Sequence, residues 1–374
     1  MIPSTRLKPL VIGEKIAAIP IVQGGMGVGI SLSGLASAVA REGGIGVIAA
    51  AGIGMHERDF YTNYLEANVR ALRREIRRAK SLTKGPVGIN IMCAFSHYDD
   101  FVRVAIEEGI DLIFSGAGLP MNLPSLIDSS STTGLIPIVS SGRAAKLICQ
   151  RWLKRFDYLP DAIVVEGTKA GGHLGFKLEQ INDAAYALER LVTDVGEVAG
   201  SYSNQYGKSI PVIAAGGIYT GRDIRKFIDL GADAVQMGTR FVATEECDAD
   251  AAFKQAYIDA NREDVVIIES PVGMPGRAIR NDFLNDVSNG LKKPYSCPYH
   301  CILSCDYKAS PYCIANALMN AKKGRFRNGF AFAGANVHRI KEIVSVKKLM
   351  ATLVSEYEDT VRDEAPTCVS ASIE

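Results

Sequence analysis

Short apolar runs, most closed by glycine or a small polar residue, alternate with longer stretches whose apolar positions recur at three- and four-residue spacing. The runs at 19–23, 46–50, 87–91, 111–115, 136–140, 162–165, 212–215 and 234–237 have the length and continuity of strands buried on both faces. Helical spacing is clearest over 33–42, 66–80, 183–200 and 220–231. Strand and helix therefore alternate eight times before residue 245, which predicts an α/β (β/α)₈ TIM barrel over residues 1–244. The rhythm then changes. Residues 251–261 read as a helix, 265–269 as a strand, 270–276 as a Pro/Gly loop, and the chain to Gly324 as irregular. This predicts a smaller, mostly helical cap over 245–324. Residues 325–362 then return to the barrel with an amphipathic helix at 340–357, and a Ser-rich flexible tail follows at 363–374.

One stretch, 210–241, organises the rest: IPVIAAGGIYTGRDIRKFIDLGADAVQMGTRF. Two strands end in glycine turns, Gly216-Gly217 and Gly238-Thr239, and each turn feeds a helix. Unpaired amides and positive helix N-termini at such turns form an anion site. Barrels commonly place a phosphate at the loops after strands seven and eight. The pair is expected to hold the phosphate of flavin mononucleotide (FMN). A plain βαβ unit, with glycines serving only tight turns, would show the same residues.

The 374 residues exceed one barrel of roughly 250 by about 120, enough for the cap. A net charge of +1 provides no overall field for nucleic acid or a membrane surface. The basic helix at 66–80 lacks interleaved aromatic residues, so it reads as a solvated outer barrel helix. No apolar run approaches the ~20 residues of a membrane span, and the first twenty residues lack the apolar core of a signal peptide. A cytoplasmic enzyme acting on a small molecule is expected, with a homodimer as the candidate assembly.

Four places carry candidate chemistry. Gly24, Gly25, Met26, Gly27, Val28 and Gly29 follow the first strand, but their spacing does not match a dinucleotide fingerprint. A loop whose backbone approaches a flat ring fits better. Asn90 stands at the carboxyl end of the third strand, where an amide in apolar surroundings needs a partner. That partner is either a ligand or a neighbouring loop. Glu166-Gly167-Thr168-Lys169-Ala170-Gly171-Gly172-His173-Leu174-Gly175 follows the sixth strand. A histidine among glycines can meet a ligand closely and titrates near neutrality, so His173 is the candidate base. Finally, Cys297, Cys301, Cys305 and Cys313 match neither the paired C-x₂-C of a zinc ribbon nor a ferredoxin run. On one helix, Cys297 and Cys305 would lie about 12 Å apart along the axis. An iron–sulfur cluster or zinc there requires a looped backbone, which Pro294, Pro298 and Pro311 permit; buried reduced thiols are the alternative.

Gln23-Gly24-Gly25-Met26, Gly88-Ile89-Asn90, Glu166-Gly167 through His173, Ala215-Gly216-Gly217-Ile218 and Gln236-Met237-Gly238-Thr239 occur in that order. As an ordered set they resemble the nitronate monooxygenase family, formerly 2-nitropropane dioxygenases, and the related flavin-dependent enoyl-acyl-carrier-protein reductases. The resemblance runs from Ile19 to Phe283, with weaker support from Ala331 to Leu349. It implies an FMN-binding barrel, with Gly24, Gly25, Met26 and Asn90 near the isoalloxazine. It places Glu166 and Gly171 in the flavin pocket, where many members have Gln at the first position. Gly216, Gly217, Gln236, Met237, Gly238 and Thr239 would lie toward the phosphate. His173 would be the catalytic histidine. Lys169 departs from the family's usual Glu, and the cysteine cluster lies outside the common pattern.

The implied reaction is oxidation of nitronates or nitroalkanes with O₂. The alternative is an enoyl-thioester reductase using NAD(P)H as reductant. From other classes, a non-redox phosphate-ligand barrel or a redox-sensing flavoprotein would share parts of the pattern.

Overall fold

The computed structural model describes residues 7–364 apart from residues 129 and 295. An antiparallel hairpin comes first, β1 (Leu10–Ile12) and β2 (Lys15–Ala17). Eight parallel strands then close a barrel. They are β3 (Ile21–Gln23), β4 (Ile45–Ala49), β5 (Val87–Met92), β6 (Leu112–Gly116), β7 (Gly134–Val139), β8 (Ile163–Glu166), β10 (Val212–Ala215) and β11 (Ala234–Met237), and β11 pairs back onto β3. A short strand, β9 (Gly172–His173), lies in the loop after β8 and belongs to another sheet. Inside the barrel, Val22, Val47, Phe114, Ile136, Val164 and Ile213 form an apolar cluster that also takes in Leu10, Ile12 and Ala17. The hairpin thus stoppers the barrel floor.

The outer ring is α1 (Ser33–Arg41), α2 (Tyr64–Leu82), α3 (Tyr98–Glu107), α4 (Gly142–Phe156), α5 (Leu188–Tyr206), α6 (Gly221–Asp229) and the short α7 (Thr239–Val242). The basic helix α2 buries Ala67, Ala71, Leu72, Ile76 and Ala79 on one face. Four of its five arginines pair with carboxylates: Arg70 with Asp59, Arg74 with Glu57 at 2.6 Å, and Arg73 and Arg77 with Glu108 at 2.8 and 2.6 Å. Such paired, solvated charge offers no basic stripe to nucleic acid.

Several element bounds differ from expectation. The helix expected at 183–200 begins at Leu188, after a 3₁₀ turn at Ala184–Tyr186 that the Asp183 carboxylate caps. It continues through Gly200 to Tyr206 and stops at Gly207, whose φ of 67° is left-handed. The helix expected at 340–357 is α11 (Val346–Glu364). Residues before it stay extended because Val344 pairs with Thr244, exchanging amide bonds with Ala243 and Glu245. Helix α11 packs on α6 and α1, closing the ring. The expected tail at 363–374 lies outside the described residues from 365 onward.

After α8 (Ala251–Asp259) come β12 (Val265–Glu269), β13 (Pro275–Ile279), α9 (Asp282–Ser288) and α10 (Ile314–Lys322). Residues 277–324 are therefore not irregular throughout. Pro275 and Gly276 hid a strand that begins at the proline, where a missing amide is tolerated. Strands β12, β13 and β9 form an antiparallel sheet. A separate apolar cluster of Val272, Ala278, Phe283, Leu284, Tyr312 and Phe330 gives this region a small core of its own.

Candidate active site

A cavity of about 310 Å³ opens among the carboxyl ends of the barrel strands. Every residue expected to meet the flavin lines it: Gly24, Gly25, Met26, Asn90, Glu166, Gly171, Gly216, Gly217, Gln236, Met237, Gly238 and Thr239, as does His173. Residues far apart in sequence converge because each sits at a strand end. The Asn90 side-chain amide lines the cavity and meets no hydrogen-bond partner among the described residues. Gln23, by contrast, is structural. Its Oε1 accepts the Val47 amide at 3.0 Å and its Nε2 donates to Gly24 O at 2.5 Å.

Close backbone approach explains the glycines. A Cβ on Gly25 would sit 2.4 Å from the Cβ of Asn90. Gly217, at φ 82°, would place one 2.7 Å from the Cβ of Lys169. Gly238 differs: its Cβ would meet only the Met26 side chain, with the sulfur nearest at 3.7 Å.

The anion site is narrower than the sequence suggested. The N-terminus of α6 is already occupied by carboxylates. Asp223 accepts the Tyr219 and Thr220 amides at 2.9 Å each, and Glu356 accepts that of Gly221 at 2.6 Å. The donors that remain are in the turns, where the Gly217 and Thr239 amides meet no protein acceptor among the described residues. Lys169 is the cationic residue in the cavity lining, and two arginines stand behind the lining residue Tyr219. The Arg240 and Arg339 guanidiniums lie 4.3 and 4.2 Å from the ring centroid of Tyr219, a cavity residue. The N-terminus of α1, where a dinucleotide fingerprint would hold its pyrophosphate, is likewise filled. Asp248 accepts the Leu32 and Leu35 amides at 2.9 and 3.3 Å.

Segment 333–336 packs against both glycine turns. Asn336 Nδ2 donates to Gly217 O at 2.6 Å, the Gly334 amide to Thr239 Oγ1 at 2.9 Å, and the Ala335 amide to Lys169 O at 3.1 Å. Sequence reasoning passed over this A-G-A-N run. Its small residues were the available signal, since a Cβ on Gly171 would lie 2.6 Å from the Ala333 carbonyl carbon.

His173 is set by the second sheet. Its strand β9 pairs with β13, Gly276 opposite His173. The buried Arg277 guanidinium donates to the Thr168 and Ala170 carbonyls, fixing the loop. The imidazole Nε2 is 2.7 Å from Ser270 Oγ, and the ring stands edge-on to Phe332 at 5.0 Å. Burial pushes His173 down to about 4, so it is neutral at pH 7. Burial has the opposite effect on the Glu166 carboxyl, pushing it up to about 7. Ser270, Arg277 and Phe332 carry no sequence signal for this site, because a long-range strand pairing brings them in.

The cysteines at 297, 301, 305 and 313 are free and half-buried, away from the cavity lining. Among the described residues, no helix is long and apolar enough to cross a membrane.

The nitronate monooxygenase family model matches residues 10–356. A nitronate monooxygenase of Pseudomonas aeruginosa is 29% identical over 90% of this chain and 95% of its own length. A Mycobacterium tuberculosis protein named (3aS,4S,5R,7aS)-5-hydroxy-7a-methyl-1-oxo-octahydro-1H-indene-4-carboxyl-CoA dehydrogenase is 28% identical over 73% of this chain. The match spans 66% of that relative's length. Among solved structures, FabK from Thermotoga maritima superposes with a TM-score of 0.69 at 29% identity, covering 92% of this chain and 94% of that one. With an eight-stranded barrel, a glycine-lined cavity at its strand ends and a family match over nearly its whole length, the chain belongs to the nitronate monooxygenase family of flavin-dependent oxidoreductases.

Proposed function

We propose that the chain binds FMN and oxidises small nitronates or nitroalkanes with O₂, with His173 as the base. The observation that carries this reading is a neutral imidazole on the wall of a cavity lined by glycines where side chains cannot fit. Gly24, Gly25, Met26 and Asn90 would face the flavin ring, with Glu166 and Gly171 beside it. Gly216, Gly217, Gln236, Met237, Gly238 and Thr239 would hold the phosphate end, helped by Arg240 and Arg339. Bound FMN supplies the electron chemistry, and the protein positions the reactants and limits water.

A neutral histidine suits proton removal from a nitroalkane better than ion pairing with a nitronate. In that role Nε2 carries the proton toward Ser270 Oγ, and Nδ1 keeps the free lone pair. Ser270 already accepts the Val272 amide at 3.4 Å, which steadies the hydroxyl. Glu166 titrates near neutrality. Protonated, it offers the donor that Gln offers in many family members, without repelling an electron-rich substrate.

A second reading, an enoyl-thioester reductase using NAD(P)H, is favoured by the relative named for a carboxyl-CoA substrate. Two measurements separate them: anaerobic flavin absorbance after adding NADH or NADPH, then oxygen uptake in air. Uptake that requires a nitronate, with slow reduction by NAD(P)H, is expected. Rapid reduction and turnover of a crotonyl-type thioester, with no nitronate-dependent uptake, would replace the first reading with the second.

A further inference from the structure

Between Ser288 and Ile314 the described chain has no helix or strand, only a bridge between Ile302 and Phe95. Unstructured segments this long in compact domains usually serve a function. This one is tied to the loop after β5. The Leu303 amide donates to Ala94 O at 3.0 Å, the Ser96 amide to Cys301 O at 3.2 Å, and Ser96 Oγ to His300 O at 2.6 Å. Cys297, Cys301 and Cys305 lie within it, and Cys313 at its end is the N-cap of α10.

The backbone gathers these thiols. His300 adopts a left-handed φ of 44°, which breaks any helix through Cys297, Cys301 and Cys305. Its amide donates to Cys297 Sγ at 3.3 Å. The Cys313 thiol is met by the amides of Ala315 and Asn316. Burial pushes the Cys301 and Cys313 thiols up, and the neighbouring thiols of the group push them further in the same direction. Tyr64 and Tyr299 border the group, with the Tyr299 ring 5.3 Å from that of Phe60. Amide-to-sulfur hydrogen bonds and an apolar wall are the means by which proteins hold thiolate-bound metal centres.

We propose that Cys297, Cys301, Cys305 and Cys313 ligate a four-iron iron–sulfur cluster that fastens this segment to the barrel. Zinc fits less well. It needs its thiolates about 2.3 Å from one point, and no three His, Cys, Asp or Glu side chains among the described residues converge on an ion in that way. A four-iron cube carries each thiolate on a separate iron and suits thiols gathered at wider spacing. Assembly takes up two ferric and two ferrous ions with four sulfides, and releases the four thiol protons to solvent.

The test uses the full chain purified without oxygen. Iron, acid-labile sulfide and zinc are measured per chain, and electron paramagnetic resonance is recorded after dithionite reduction. About four irons and four sulfides per chain are expected, with a reduced-cluster signal. Cys305→Ser and Cys313→Ser should each lose most of the iron, whereas Cys149→Ala, buried in α4, should keep it. Loss of a ligand can unfold the segment, so the unmodified chain decides. Protein free of iron after anaerobic reconstitution with ferric and ferrous iron and sulfide, zinc in place of iron, or disulfides among the four would each overturn the proposal. Flavin content, read on the same sample, tests FMN binding separately and leaves the cluster result unaffected.

Discussion

The two ends of the cavity are built by different means. At the glycine-turn end, proposed for the phosphate, the contacts are backbone: two turns on adjacent strands, with Gly217 where a Cβ would strike Lys169. At the imidazole end they are side chains: His173, Ser270 and Phe332, joined by pairings between segments about a hundred residues apart. The first end is local and rigid, and it has no titrating group in its turns. The second is assembled by tertiary contacts and carries a histidine that burial holds neutral. Anchoring and chemistry can therefore fail separately.

Four substitutions test that separation, in decreasing order of expected effect. His173→Asn should lower turnover on a neutral nitroalkane about 100- to 10,000-fold while leaving bound flavin unchanged. A preformed nitronate, which needs no proton removed, should lose much less. Oxygen-uptake kinetics on both substrates check this, and equal losses would mean that His173 does more than accept a proton.

Gly217→Ala should weaken flavin binding roughly 10- to 100-fold, from a left-handed φ and a 2.7 Å clash with Lys169. Gly238→Ala, with room for its methyl, should stay within about twofold. Flavin titration of both variants reads the contrast; similar losses would show that the phosphate end is not held by its backbone shape.

The smallest effect concerns pH and stability without flavin. Glu166 has a folded value of about 7 against an ordinary 4.5. Its contribution is present in full below 4.5 and is lost as pH rises through 7. His173, lowered from 6.5 to about 4, contributes above 6.5 and loses that as pH falls through 4. Glu166→Gln should remove only the first trend, about 1–3 kcal/mol across the window. Thermal unfolding between pH 4.5 and 7.5 measures it, and an unchanged slope would mean that the carboxyl is ionised in the folded protein.

The same division governs what could be read from the chain. The barrel strands were legible because each is a continuous apolar run, and the glycine turns because glycine itself marks them. His173 was legible for its setting among glycines. Its partner Ser270 was not, because the two meet only through β9 and β13, and Pro275-Gly276 makes β13 read as a loop. The expectation that both helix N-termini help hold the anion was too generous. Asp223 sits three residues after the Thr220 cap in a capping box, so α6 satisfies its own first amides.

The hairpin at the barrel floor has a consequence for traffic. With Leu10, Ile12 and Ala17 packed into the apolar interior, the described residues close the barrel at its floor. Whatever reaches the cavity therefore comes from the carboxyl ends of the strands, where the cavity lies. Reactants that share one entrance take turns, so the order of arrival and departure is imposed by architecture as much as by affinity.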